Sequence, residues 1–594
     1  MNAAHKEISF NPLRAAELYQ AQNYPALSNY FLEILQFLEK QAWSELNAER
    51  SRFVNIFMKH FLFFFSQEDY VLGDEEGECF IRANSLISNL AAMSVFKTTD
   101  VWLELIRNQQ ANFVKVLALL NARCTSRFEI APFFEAHPKF ATLWYTKYFD
   151  LFYGGTPTKT IYENALRHVA GADSRWEYSG PDMSNFYFFP TYFAMDQEAG
   201  LKKLYHGLVK PIMAQAKITN KPNPKSIAIV TAGWVRTSAV YKSLAPYVEA
   251  LRHDYDLTLV ILGNYGGSDN FDKSWFKTIK NISISGKEFK LQDILENDFS
   301  LVYYPDIGMR NEDRHLANIR IAPIQVMGYG HPASTHGSEI DYFVGGQETE
   351  SLRDAQKNYS ERLVAIPGLG AFAVLPEKRF KATRQEQSDR IIINCPWYAH
   401  KCTYPHLLTL GRIASKAKKK VLFRFFVGQG LSFHNQTIPF AQEVASVVGE
   451  GHTEIIELRP YDEYQRLMSE GAFSLDSAPF GGYNTIVDSL AVGKPSVTLE
   501  GRHAPGRLAA AAMRRVGMNE LVAKTPSEYV SIVLKLIDDD AYREDVVRRL
   551  AEVDLDASLC RKGEGEAFKR AIDFLIANHA RLKAEGSREP IFID

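Results

Sequence analysis

The feature that most constrains this chain is a regular alternation of short apolar runs with helical segments, from residue 219 onward. Runs such as 226–230 (SIAIV), 257–263 (LTLVILG) and 300–305 (SLVYYP) are rich in β-branched and aromatic residues, and amphipathic stretches such as 240–252 separate them. Buried parallel strands that are joined by helices have this pattern. The sequence therefore predicts doubly wound parallel sheets over this part of the chain.

A polar, charged stretch at 375–390 (LPEKRFKATRQEQSDR) divides the alternation into two blocks. Apolar runs return beyond it, for example at 391–394 and 420–428. We predict one Rossmann-like domain over residues 219–378 and a second over residues 379–594, which ends in helices. Sheets of this kind bind ligands at the carboxyl ends of their strands, so two of them favour a cleft between facing sheet edges.

The region before these blocks has a helical pattern. Apolar residues recur at steps of three and four along 13–40 and 101–123, as on one face of an α-helix. The chain has 594 residues, and domains of about 150 residues lead to three or four of them. We predict an all-α N-terminal domain over residues 1–218, followed by the two α/β domains.

Composition excludes several classes of function. The formal net charge is −2, so no global electrostatic field draws the chain to nucleic acid. No apolar run reaches the ~18 residues of a membrane span, and the first residues lack a basic region followed by an apolar one. The five cysteines show no metal-ligand spacing. We expect a cytoplasmic protein with reduced cysteines, no metal site and no membrane span.

The stretch 477–501 (SAPFGGYNTIVDSLAVGKPSVTLEG) predicts a phosphate-binding turn. Gly481 and Gly482 can adopt backbone angles that are closed to other residues, and Asn484 is a favourable N-cap for the helix that follows. A helix start binds phosphate through its free N–H groups. Asp488 lies one turn later on the same face, where it can accept hydrogen bonds from ribose hydroxyls. A strand–loop–helix joint with a capping Asn is the alternative interpretation.

A longer stretch carries a family resemblance. Residues 318–350 (NIRIAPIQVMGYGHPASTHGSEIDYFVGGQETE) are similar to the signature of the O-GlcNAc transferase family. Residues 303–309 (YYPDIGM) and the opening at 11–39 resemble more closely its bacterial branch, the cytoplasmic N-glycosyltransferases that glucosylate adhesins. The resemblance implies the GT-B fold, in which two Rossmann-like domains face a cleft.

The resemblance also implies a donor site in the second Rossmann-like domain. Asn484 and Thr485 match positions that bind the donor phosphate, and Asp488 matches the position that holds the ribose hydroxyls. Lys401 matches a lysine that contacts the diphosphate, where a fixed cation would stabilise the leaving group without a metal. Tyr461 matches the position that covers the uracil ring, on which an aromatic side chain can stack.

Two further positions match the family on the donor side. Gln429 resembles the glutamine placed near the donor hexose in the bacterial branch, although a polar loop residue is an equal alternative. Arg507 matches an arginine at the start of a late helix, where a structural salt bridge is the alternative.

The acceptor side departs from the bacterial pattern. Ser238, in the turn 231–242, stands where that branch has a histidine. The remaining candidates for catalysis are His331 and His336 in the GHPASTH turn, and Asp306. A histidine with a pKa near neutral could take a proton from an acceptor, but a histidine that only hydrogen-bonds its turn fits equally. The identity of the catalytic base stays open at this point.

The sequence therefore predicts an inverting, metal-independent glycosyltransferase without a cofactor. It would move a hexose, glucose-like or N-acetylglucosamine, from a UDP donor to a protein side chain such as an adhesin Asn or Ser/Thr. The replacement at Ser238 favours the alternative, a non-catalytic module that binds a UDP-sugar or an adhesin. A sugar-nucleotide epimerase shares the two-domain architecture but lacks support from residues 318–350.

Overall fold

The computed structural model describes residues 9–172, 177, 183–211, 213, 220–263, 270–282, 284–285, 288–289, 292–351, 354–376, 390–561 and 563–594. The domain boundaries predicted at 218/219 and 378/379 lie outside these residues and stay predictions. Within these ranges, no helix is both long and apolar enough to cross a membrane.

The N-terminal region is helical, as predicted. Asn11, Asn23 and Asn47 begin its first three helices, and each side chain accepts a hydrogen bond from a backbone N–H of the first turn. Stacked and edge-on phenylalanines, including Phe57 and Phe61, fill its interior. The helices are α1 Pro12–Gln20, α2 Tyr24–Glu39, α3 Ala48–Phe65, α4 Asp74–Arg82, α5 Asn84–Met93, α6 Asp100–Ile106, α7 Phe113–Leu119, α8 Ala131–Ala136, α9 Pro138–Lys147, α10 Lys159–Ala170, α11 Ser184–Phe188, α12 Pro190–Phe193 and α13 Glu198–Val209.

The first α/β block forms an eight-stranded parallel sheet in the order β16-β9-β8-β7-β6-β1-β2-β3. Its strands are β1 Asn223–Thr231, β2 Asp256–Leu262, β3 Thr278–Ile282, β6 Phe299–Tyr304, β7 Ile324–Met327, β8 Tyr342–Gly346, β9 Arg362–Ile366 and β16 Ile591–Phe592. A small hairpin, β4 Ile284–Ser285 with β5 Glu288–Phe289, and the helices α14 Ala239–Leu251, α15 Gln292–Leu295 and α16 Asn311–Leu316 complete the block.

Burial explains why these runs are strands. All residues of β6 and β7 are buried, and the apolar half of β1 is buried as well. Because β1 lies between β2 and β6, the strand order reverses between β1 and β6. Such a reversal opens a crevice at the carboxyl ends of the two strands.

The second α/β block forms a six-stranded sheet in the order β12-β11-β10-β13-β14-β15. Its strands are β10 Arg390–Cys395, β11 Lys420–Gly428, β12 Thr453–Glu457, β13 Phe473–Leu475, β14 Ser496–Leu499 and β15 Val522–Ala523. Its helices are α17 Tyr404–Lys416, α18 Thr437–Val448, α19 Tyr461–Glu470, α20 Asn484–Ala491, α21 Leu508–Arg515, α22 Pro526–Asp538, α23 Asp540–Ala551, α24 Leu555–Leu559 and α25 Gly563–Glu585. Here the strand order reverses between β10 and β13.

The tail of the chain returns to the first sheet. Helix α25 buries Phe568, Ile572 and Leu575 at helical spacing in the core that β1, β6 and α14 share, and each such side chain contributes about 1.5–3 kcal/mol. Strand β16 then pairs with β9. The sequence predicted the helical tail but not this strand, because two residues carry no periodicity.

The chain divides into two compact units. The first contains residues 1–193, with the segments Tyr398–Gly411 and Phe426–Leu458; these segments hold the start of α17, the end of β11, α18 and β12. The second contains Ala194–Trp397, Arg412–Phe425 and Arg459–Asp594. Most residues predicted for the site belong to the second unit.

Candidate active site

Asp306 lies at the strand reversal of the first sheet. It follows β6 by two residues and is only 3% exposed. Thr231, the last residue of β1, donates its Oγ1–H to Asp306 Oδ2 at 2.9 Å. The other oxygen, Oδ1, has no hydrogen-bond partner among the described residues. Burial raises the pKa of Asp306 to about 7, and the Thr231 hydroxyl, followed by the backbone N–H groups of Ala232 and Asp306, opposes part of that rise.

A second carboxyl group lies near Asp306. Asp313 on α16 is fully buried, and its Oδ1 accepts a hydrogen bond from the Gly308 N–H at 3.2 Å. Burial raises the pKa of Asp313 well above its usual range, and the neighbouring Asp306 raises it further. Two buried carboxylates this close resist double ionisation. The pair therefore holds a proton more tightly than an isolated carboxyl group does.

His331 packs against the loop that carries Asp306. Gly308 adopts a φ of +108°, and a Cβ atom there would lie 2.8 Å from His331 Cδ2. Glycine is therefore required at this position for both its conformation and its size. The His331 ring stacks on Phe480, with ring centroids 6.2 Å apart. The turn after β7 thus contacts the loop between β13 and α20 inside the second unit.

His336 has a different environment. It adopts a φ of +52°, and burial, with a contribution from Lys202, lowers its pKa to about 3. A general base works best with a pKa near the working pH. Of Asp306 and His336, Asp306 is the better match at neutral pH.

Ser238, at the position of the family histidine, caps α14. Its Oγ accepts a hydrogen bond from the Tyr241 N–H at 3.0 Å and donates to the Gly233 carbonyl at 3.1 Å. Both contacts are local, so this serine stabilises the turn and the helix start.

Asp476 organises the turn of the second sheet. It follows β13 directly and is 2% exposed. Its Oδ1 accepts from the Gly482 N–H at 2.7 Å, and its Oδ2 accepts from Thr498 Oγ1 at 3.0 Å. With both oxygens occupied, the carboxylate holds the loop that leads into α20.

The two glycines of this loop are needed for space, which corrects the sequence prediction. Neither Gly481 nor Gly482 has a positive φ. A Cβ atom at Gly481 would lie 2.7 Å from Asp476 Oδ2, and one at Gly482 would clash with Thr485 Oγ1. The close approach of Asp476 to the loop leaves no room for a side chain.

The predicted N-cap at Asn484 is also wrong. Helix α20 begins at Asn484, Tyr483 occupies the cap position, and no side chain caps the helix. The cause is that Asn484 is already in the first helical turn. Its Oδ1 instead accepts a hydrogen bond from Ser243 Oγ of α14 at 3.4 Å. Asn484 and Thr485, the first two residues of α20, are only partly buried.

Asp488 and Tyr461, which the resemblance assigns to the ribose and the base, are in contact with each other. The Tyr461 hydroxyl donates to Asp488 Oδ1 at 2.6 Å, and Gln465 Nε2 donates to the same hydroxyl at 3.2 Å. Lys242 of α14 places its Nζ 5.1 Å from the Tyr461 ring centroid. Burial raises the pKa of Asp488, whereas the Tyr461 hydrogen bond and then the charge of Lys242 lower it.

Arg507 makes the contacts of the structural alternative. It forms an ion pair with Glu500 at 3.0 Å, and its Nε donates to the Thr349 carbonyl at 2.6 Å. Thr349 follows β8 of the first sheet, so the arginine links the two α/β blocks within the second unit.

Lys401 and Gln429 belong to the first compact unit. Lys401 is half-buried and ends a short 3₁₀ turn, Ala399–Lys401. Gln429 is exposed at the end of β11, and its carbonyl accepts a hydrogen bond from Ser432 Oγ at 2.8 Å. Their roles toward a donor stay predictions from the sequence resemblance.

Sequence reasoning missed Thr231, Asp476, Lys242 and Ser243. Asp476 had a usable signal, since a polar residue directly after a buried strand lies at the ligand-binding edge of a parallel sheet. Lys242 and Ser243 had none, because their partners on α19 and α20 are more than 200 residues away in the chain. Among the described residues, no group of three or more His, Cys, Asp or Glu side chains could hold a metal ion.

Comparison with known proteins places this arrangement in context. Residues 445–562, which include Tyr461, Asp476 and Asp488, match the model of glycosyl transferase family 41. The chain is 25% identical over 348 residues to a UDP-glucose:protein N-beta-glucosyltransferase of Actinobacillus pleuropneumoniae, covering 57% of this chain and 54% of the relative. It is 25% identical over 394 residues to a probable UDP-N-acetylglucosamine–peptide N-acetylglucosaminyltransferase SPINDLY of Hordeum vulgare, covering 60% and 39%.

The chain thus spans about half the length of the curated relatives it matches first. A solved O-GlcNAc transferase mutant of Thermobaculum terrenum superposes with a TM-score of 0.60 at 16% identity, over 97% of this chain and 98% of that one. This likeness confirms the predicted fold class, a helical region followed by two Rossmann-like domains. The sequence resemblance is confirmed as well: this chain is similar to glycosyl transferase family 41 over residues 445–562, and to O-GlcNAc transferases and bacterial N-glucosyltransferases.

Proposed function

We propose that this chain is an inverting, metal-independent glycosyltransferase. It transfers a hexose, glucose-like or N-acetylglucosamine, from a UDP donor to a protein side chain in the cytoplasm. An adhesin Asn or Ser/Thr is the proposed acceptor, and no cofactor is required because the UDP-sugar is a co-substrate. The family match and the names of the relatives support a UDP-sugar donor and a protein acceptor.

One observation carries catalytic competence: Asp306 keeps an unpartnered carboxylate oxygen at the strand reversal of the first sheet. As the acceptor atom attacks the anomeric carbon from the face opposite UDP, its proton moves to Asp306 Oδ1. The bond between the anomeric carbon and the diphosphate oxygen breaks, and that oxygen leaves with the electron pair. A carboxylate with a pKa near 7 can serve as this base at neutral pH.

The donor is proposed to bind at the start of α20. Free N–H groups of the first turn bind the diphosphate around Asn484 and Thr485, and Asp488 accepts hydrogen bonds from the ribose hydroxyls. Tyr461 stacks on the uracil ring once its hydroxyl releases Asp488.

Three further residues complete the proposed donor site. Lys401 stabilises the charge of the departing UDP, in keeping with its place in the sequence motif. The resemblance assigns Gln429 to the hexose, and Arg507 is proposed to support the site from the residue before α21.

Intact-mass analysis tests the proposal. An adhesin-like acceptor is co-expressed with the wild type, with Lys401→Ala and with Lys416→Ala, an exposed lysine in the last turn of α17. We expect a hexose mass increment with the wild type and Lys416→Ala, and a loss of about 100-fold or more with Lys401→Ala. Full transfer by Lys401→Ala would exclude the proposed leaving-group role.

Calorimetry with UDP separates the enzyme from a non-catalytic module. UDP binding without transfer to any acceptor would identify a binding module. If the chain showed no UDP binding and no transfer, both the enzyme and the binding module would be excluded.

A further inference from the structure

The helical region contains a small pocket that the proposed transfer does not use. Its volume is about 60 Å³, and it lies between the loop after α7 and the helices α9 and α10. Aromatic side chains form the walls, and two arginines and an asparagine line the polar side. These residues are Phe128, Trp144, Tyr148, Arg127, Arg167 and Asn164. All of them belong to the first compact unit.

Asn164 fixes the geometry of the polar side. Its Nδ2 group donates to the carbonyls of Ala122 and Cys124, at 2.9 and 2.8 Å. Because both amide protons are used on carbonyls, the amide oxygen can only point the other way. There it accepts hydrogen bonds from Arg127 Nη1 at 2.5 Å and Arg167 Nη1 at 2.7 Å. Asn164 is 4% exposed, so this oxygen is a rigid point of convergence for the two arginines.

Two guanidinium groups meet at this oxygen. Within the described residues, neither Arg127 nor Arg167 has a carboxylate within ion-pair distance. Arg107, directly after helix α6, shows the ordinary arrangement, with two hydrogen bonds to the Glu104 carboxylate at 2.7 and 2.6 Å. One neutral amide oxygen cannot balance two guanidinium charges. An oxyanion that accepts from both would remove their repulsion.

The size and walls of the pocket limit what enters. A cavity that holds benzene measures about 150 Å³, so 60 Å³ admits a carboxylate or a phosphate group but no aromatic ring. The rest of a ligand must stay outside, next to the exposed parts of Arg127 and Arg167.

We propose that this pocket binds an oxyanion, the carboxylate or phosphate head of a ligand, bridged between Arg127 and Arg167. The pocket shares no residue with the donor and acceptor residues proposed above.

The test measures the melting temperature of the full chain with sodium acetate or sodium phosphate, against sodium chloride at equal ionic strength. Saturating UDP is present throughout, so that phosphate does not report on the donor site. We expect at least one of the two probes to stabilise the wild type. The apparent Kd should rise at least tenfold in Arg127→Gln/Arg167→Gln, and by less in Arg167→Lys, which keeps the charge but loses the planar fork.

Arg82→Gln is the matched control, because Arg82 is a helical-region arginine that already pairs with Glu78. It should bind like the wild type, and circular dichroism confirms that each variant is folded. The probe that binds more tightly identifies the head group. Equal affinity of the wild type and the double variant, or no stabilisation by either probe, would overturn the proposal.

Discussion

Two aspartates occupy equivalent places in the two sheets and differ in what surrounds them. Asp306 follows β6, and Asp476 follows β13, each beside the strand where the order of its sheet reverses. Both are buried. Asp476 uses both oxygens on Gly482 and Thr498, whereas Asp306 uses one oxygen on Thr231 and keeps the other unpartnered among the described residues.

The difference separates a structural carboxylate from a reactive one. A carboxylate with both oxygens bonded has no acceptor left for a substrate proton, and it fixes its loop. A carboxylate buried with one oxygen unbonded is held toward the neutral form, and it gains by taking a proton from a substrate. Position at a strand end is therefore not enough to predict catalysis; the unused acceptor is the informative feature.

Replacement of Asp306 should have the largest effect. Asparagine in Asp306→Asn keeps the shape of the aspartate side chain but cannot act as a base. General-base catalysis contributes about 10²–10⁴-fold to the rate. We expect kcat to fall by that factor while UDP affinity, measured by calorimetry, stays unchanged. If the variant lost UDP binding and activity together, Asp306 would have a structural role in the site, as we argue for Asp476.

The pH dependence of the wild type gives the next largest effect. Because the pKa of Asp306 is about 7, kcat/KM should fall tenfold per pH unit below it. Thr231 lowers this pKa through its hydrogen bond, so Thr231→Val should shift the profile to higher pH. A profile that is flat from pH 5 to 8 would mean that another group takes the proton.

Stability should change with pH in the opposite direction. The pKa of Asp306 is raised above its unfolded value of about 3.9, so its stabilising contribution is full below that value and is lost as the pH rises through about 7. Urea unfolding should show that Asp306→Asn gains stability relative to the wild type as the pH rises from 4 to 7. If the difference in free energy of unfolding between the variant and the wild type were the same at both ends of this pH range, the raised pKa of Asp306 would be contradicted.

Asp476→Asn should affect stability first. One amide donor would replace an acceptor, so either Gly482 or Thr498 would lose its partner, at a cost of about 1–3 kcal/mol. Thermal unfolding measures the loss, and we expect weaker UDP binding because the loop into α20 loosens. If kcat fell while stability and UDP affinity stayed unchanged, Asp476 would have a catalytic role, and the distinction from Asp306 would be wrong.

Tyr461→Phe should have the smallest effect. The variant keeps the ring but frees Asp488 from the 2.6 Å hydrogen bond, so UDP should bind a few-fold more tightly by calorimetry.

Asp488→Asn is the matched comparison. It should weaken UDP binding about 10- to 100-fold, since a charge-assisted hydrogen bond contributes about 1.5–3 kcal/mol. Weaker UDP binding by Tyr461→Phe would assign the hydroxyl to the ligand.

Much of the fold was predictable from local sequence. The runs 226–230 and 420–428 form buried strands, as expected for short apolar runs that are bounded by polar or turn-forming residues. The pairing of β16 with β9 was not predictable, since two residues carry no pattern and their partner lies far away in the chain. The domain boundaries stay predictions, because they lie outside the described residues.

The candidate site was predictable in part. The resemblance identified Tyr461 and Asp488, which the structure brings into contact. The glycines and Asn484 were misread because a sequence shows which conformations are allowed but not how closely Asp476 approaches the loop. The contacts of Lys242 and Ser243 arise only when α14 packs beside α19 and α20.

The most direct test of the central claim is the intact mass of an acceptor protein co-expressed with the wild type and with Asp306→Asn. The account predicts an added hexose mass with the wild type and at most a trace with the folded, UDP-binding variant. Equal hexose addition by the two proteins would contradict it.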